Sequence, residues 1–121
     1  MSKRVHILKD KGLLEIVYTG EVTPEDLAED RDTGERVFSE ERLSKVLVDC
    51  SEVHFSPSTI PLLEHATGIA RSRVLKRVKH AIVVPEAIVK DARFLETISR
   101  NRGVNMRYFV TRAEALEWLK E

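Results

Sequence analysis

Apolar positions along the chain change their spacing several times, and each change marks an element. Val5-His6-Ile7-Leu8 and Leu13-Leu14-Glu15-Ile16-Val17-Tyr18 are strand-like runs separated by Lys9-Asp10-Lys11-Gly12, a turn signal with glycine at its end. Together they predict a β-hairpin. Thr23-Pro24-Glu25-Asp26 then opens a helix, with Thr23 to cap free amides, Pro24 suited to the first helical position, and two carboxylates at the positive end of the dipole. This helix extends to about Ser39. Its apolar positions, Leu27, Ala28, Val37 and Phe38, are few, and Gly34 interrupts them, so the expectation is a mostly solvated, mobile helix.

Val46-Leu47-Val48 and Ala81-Ile82-Val83-Val84 are continuous apolar runs rich in β-branched residues, the pattern of strands covered on both faces. Between them, Leu62, Leu63, Ala66, Ile69, Ala70 and Val74 recur at helical spacing and predict one helix with a single apolar stripe. After Pro85, Ile88, Ala92, Leu95 and Ile98 predict another, stopped by Gly103. Val104, Met106, Tyr108 and Val110 alternate with Asn105, Arg107 and Phe109 in a last strand. Thr111-Arg112-Ala113-Glu114 is a capping-box pattern, Leu116 and Leu119 give the closing helix its inward face, and Trp118 is placed to seal its edge. The order β-β-α-β-α-β-α-β-α predicts an α/β fold. Its sheet is mixed and mostly parallel, because right-handed crossovers align successive strands and only the N-terminal hairpin pairs antiparallel.

The 121 residues fit one domain spanning 1–121, and an apolar share of 42% supports a core. No apolar run approaches the roughly 20 residues of a membrane span, and the start lacks the apolar core of a secretion signal. A cytoplasmic protein without a transmembrane segment is expected. One cysteine, Cys50, excludes an intramolecular disulfide, and its place after a strand suggests an inert core thiol. His6, His54, His65 and His80 are dispersed, with no metal-binding pair, and the five glycines form no phosphate loop. Neither a metal nor a cofactor is expected.

Twenty basic residues cancel twenty acidic ones, so no global field favours nucleic acid. The charges are unevenly spread: residues 1–66 carry a net −6 and residues 67–121 a net +6. The acidic excess lies between Glu21 and Glu41, and the basic excess begins with Arg71, Arg73, Lys76, Arg77 and Lys79. That basic cluster is a candidate patch for an acidic partner or an anionic headgroup, beside the plainer reading of a solvated helix end. Ser56-Pro57-Ser58-Thr59-Ile60-Pro61 is the most site-like segment, because hydroxyls and free amides at a helix start bind anions, although capping alone also accounts for it.

The stretch Val46-Leu47-Val48-Asp49-Cys50-Ser51-Glu52-Val53-His54-Phe55-Ser56-Pro57-Ser58-Thr59 resembles the strand, acidic turn and serine-bearing loop of STAS domains, the fold of the anti-sigma-factor antagonists. The ending, Val104 to Phe109 followed by Thr111 to Leu119, is similar to the SpoIIAA-like branch, which is grouped with both STAS and CRAL-TRIO folds. The resemblance implies Asp49 as the strand-end acid, Ser58 and Thr59 as the two hydroxyl positions, and Thr59 as a phosphoacceptor. Pro57 and Ile60 stand where that loop carries its acid and its glycine. The binding loop is thus expected at Asp49, Ser56, Ser58 and Thr59.

Two functional expectations follow. The first is a non-catalytic protein-interaction or regulatory module, whose acidic helix and basic cluster pair across an interface, with a homodimer as one form. The second comes from the likeness to CRAL-TRIO folds: a lipid or small apolar ligand held between the sheet and the first helix. It requires a cavity there. A Ser/His hydrolase, built from Ser56 or Ser58 with His54 or His65 and Asp49, ranks below both, since no nucleophile-elbow pattern supports it.

Overall fold

The N-terminal hairpin forms where the turn signal places it. In the computed structural model, which describes residues 2–54 and 60–121, β1 (Ser2–Leu8) pairs antiparallel with β2 (Leu13–Glu21) through a 3₁₀ turn at Lys9–Lys11. Gly12 closes that turn at φ 61°, in the left-handed region that a glycine enters without steric cost. β3 (Lys45–His54), β4 (Lys79–Val83) and β5 (Met106–Phe109) then add in parallel, giving a five-stranded sheet in the order β1-β2-β3-β4-β5.

Because consecutive strands are neighbours and crossovers are right-handed, the connecting helices fall on one face. They are α1 (Pro24–Glu40), α2 (Ile60–Arg71), α3 (Arg73–Lys76) and α4 (Val89–Asn101). α5 (Arg112–Leu119) packs on the other face, where Ala115, Trp118 and Leu119 meet Leu47, Val83 and Phe109. Burying a side chain of this size stabilises the fold by roughly 1.5–3 kcal/mol. Thr111 caps α5 as its sequence pattern predicts: its hydroxyl accepts from the Glu114 amide at 3.3 Å. At the far end, Lys79 Nζ donates to the Trp118 carbonyl at 2.7 Å and lies 4.5 Å from the Trp118 ring centroid.

The structure corrects four expectations. β3 continues to His54 rather than ending near Val48, because Cys50 and Val53 join Tyr18 in a further apolar cluster; a register shift between Val17 and Thr19 of β2 accommodates the extension. Asp49 therefore stands within the strand, not at its end. The helix expected to run through Val74 breaks at Ser72, whose hydroxyl accepts from the Leu75 amide and starts a separate turn. Phe109, expected on an outward face, is buried because α5 covers that side of β5. Gly34 does not interrupt α1: it is buried within the helix, and a Cβ placed on it would lie 3.1 Å from Leu75 Cδ2. It marks a point of close approach between α1 and α3, so α1 is docked there rather than mostly solvated.

Candidate functional site

The residues facing each other across the sheet-helix layer do not fill the space between them. From the sheet come Ile16, Val48 and Ile82, aligned side by side by the parallel register. From α1 come Leu27, Asp30, Arg31, Gly34 and Phe38, a helical stripe whose middle is polar or lacks a side chain. A glycine and two charged residues pack poorly against branched aliphatics. The result is a cavity of about 370 Å³ between the sheet, α1, α2 and α4. Protein interiors rarely hold voids much larger than a water molecule, whereas ligand pockets run from about 300 to 1,000 Å³. Among its lining residues Glu21, Thr23 and Pro24 are exposed, which puts the mouth at the β2–α1 connection. That is the carboxyl end of the parallel strands, where open α/β sheets bind ligands.

Several polar groups line this apolar space. Tyr18 is 2% exposed, and its hydroxyl has no hydrogen-bond partner among the described residues. Arg31 extends from α1 across Gly68 of α2, where a Cβ would lie 2.5 Å from Arg31 Nε, and its Nη1 donates to His65 Nδ1 at 2.7 Å. Burial and the adjacent guanidinium lower the His65 pKa from the ordinary 6.5 to about 3. The imidazole is therefore neutral, with its proton on Nε2. Burial also keeps His80 neutral despite its bond to the Leu75 carbonyl at 2.8 Å, to which Nε2 donates. The Cys50 thiol, pushed up to about 12 by burial, is not a nucleophile at neutral pH. Asp30, raised by burial, accepts from Lys3 Nζ at 2.9 Å, so this carboxylate is already paired.

The residues singled out in the sequence are placed differently. Ser56, Ser58 and Thr59 lie outside the described residues. Asp49 Oδ1 accepts from both the amide and the hydroxyl of Ser51, at 3.0 and 2.7 Å. His54, exposed at the end of β3, stands in register with Glu21 at the cavity mouth. His65 is not a base for a serine, because Arg31 occupies its lone pair and its pKa is far below neutrality. Arg71, Arg73, Lys76 and Arg77 cluster at the α2–α3 end and are exposed, with no carboxylate partner among the described residues. Lys79 is drawn away to the C-terminus of α5. Sequence reading missed Tyr18, Arg31 and His65 as a group. The available signal was an arginine in the stripe of a weakly apolar helix, opposite a tyrosine-ended strand.

A mixed sheet with helices on both faces and an underfilled layer beneath α1 defines an α/β fold with a cavity on one side of its sheet. A family model described as SpoIIAA-like matches residues 13–120, and the chain belongs to that family. Among solved structures, the anti-sigma factor antagonist SpoIIAA in its unphosphorylated form is similar, with a TM-score of 0.64 over 98% of this chain and 96% of that one. At 16% identity the likeness is one of fold. No curated protein matches. Among the described residues no helix is long and apolar enough to cross a membrane, and no group of histidine, cysteine and carboxylate side chains is arranged to hold a metal ion.

Proposed function

We propose that this protein is a non-catalytic binding module that holds a small, largely apolar molecule between its sheet and α1. The observation that carries this reading is the cavity of about 370 Å³, walled by aliphatic and aromatic side chains and carrying a few polar groups. That composition is typical of a ligand site. Native mass spectrometry of protein purified from cells tests it. A bound organic mass of a few hundred daltons, lost on solvent extraction, is the expected result; a clean apo mass, with no uptake of added alkyl compounds, would overturn it.

A second reading, docking to a protein partner, draws on two observations. Arg71, Arg73, Lys76 and Arg77 form an exposed cationic cluster, and the fold is that of an anti-sigma factor antagonist. The two readings are compatible, since a ligand under α1 also bears on α3 through the Gly34–Leu75 contact. Partner binding through this cluster weakens with ionic strength, because exposed charges set encounter rates more than contact energy. A homodimer held by these charges would dissociate between low and moderate salt in the same experiment.

A further inference from the structure

We infer that the ligand of this cavity is an apolar monocarboxylate whose acidic head is received by Arg31, an inference that rests on the cavity reading above. Arg31 lines the cavity and makes one hydrogen bond among the described residues, to a neutral acceptor, His65. The carboxylate beside it in sequence, Asp30, is paired with Lys3. Arg31 is always protonated, and its planar fork has further N–H donors to offer. A guanidinium in an apolar wall without a counter-charge is costly, and a ligand anion relieves that cost.

His65 strengthens the case. Its neutral ring holds Arg31 in place without neutralising it, so one positive charge stays available on the helix wall. On the sheet wall, the buried Tyr18 hydroxyl is a second group that lacks a partner among the described residues. One net charge matches a monoanion. A phosphate dianion would leave a buried negative charge unbalanced, and apart from Glu21, Thr23, Asp30, Cys50 and His80 the remaining lining is largely aliphatic or aromatic, which calls for a hydrocarbon body. Glu21 sits at the exposed mouth, where it disfavours an anion held at the rim and favours one seated deeper.

Calorimetric titration with decanoate and with decanol separates the head group from the chain. Wild type should bind decanoate about tenfold or more tightly than decanol, the size of a charge-assisted hydrogen bond. Arg31→Met should bind the two alike, while Arg31→Lys keeps a reduced preference, having the charge without the fork. Equal affinity of wild type for both compounds would overturn the carboxylate assignment and leave the cavity reading intact; binding of neither would overturn both. Should Arg31→Met lose its far-UV dichroism, the wild-type comparison and Arg31→Lys still decide.

Discussion

His65 shows how one contact fixes the chemistry of a side chain. In isolation an imidazole titrates near 6.5; between α1 and α2, beside Arg31, it holds no proton until about pH 3. Below 6.5 the unfolded chain takes up a proton that the folded chain refuses, so this stability, full above 6.5, is lost as pH falls towards 3. His80, also lowered by burial, acts in the same sense, and Asp30, raised by burial, acts in the opposite one. Urea midpoints should therefore fall on acidification from about pH 7 to about pH 5. His65→Gln should show a shallower fall. An identical slope in wild type and variant would show that His65 does not carry the effect.

At the scale of elements, α1 is the piece whose role the chain pattern conceals. Its N-cap at Thr23 is plain in sequence, and the structure completes it as a capping box, where the Thr23 hydroxyl accepts from the Asp26 amide at 3.1 Å and the Asp26 carboxylate accepts from the Thr23 amide at 2.9 Å. Its inward stripe, Leu27, Arg31, Gly34 and Phe38, does not read as apolar, because it serves both a packing contact and a site. Gly34 is where the two meet. A Cβ there lies in tight contact with Leu75, which is itself buried, so a longer side chain must lift α1 off α3. Gly34→Leu should lower stability by about 1–3 kcal/mol in urea unfolding. Gly34→Ala should cost far less, since the helix gains roughly 0.5–1 kcal/mol from replacing glycine. Equal behaviour of the two variants would mean that Leu75 does not crowd position 34.

At the scale of the whole molecule, the sheet divides the protein into a filled layer and an underfilled one. On the α5 side, Trp118 and Phe109 close the packing with ring centroids 5.7 Å apart. On the α1 side the cavity stays open, which makes it the place where added volume helps. Leu27→Trp should stabilise the empty protein by about 0.5–2 kcal/mol and abolish decanol binding. A lower urea midpoint with binding retained would show that the side chain at position 27 does not enter the space beneath α1. The residues by themselves determined the element order, the hairpin, both helix caps and the mostly parallel sheet, because caps, turns and periodicity are local and each leaves its mark within a few neighbours. The lengthening of β3, the break at Ser72 and the burial of Phe109 came from packing between distant segments. So did the meeting of Arg31 with His65, 34 residues apart, and the emptiness beside them. A cavity is a property of surfaces that fail to meet, and no stretch of sequence carries the shape of the surface it will face.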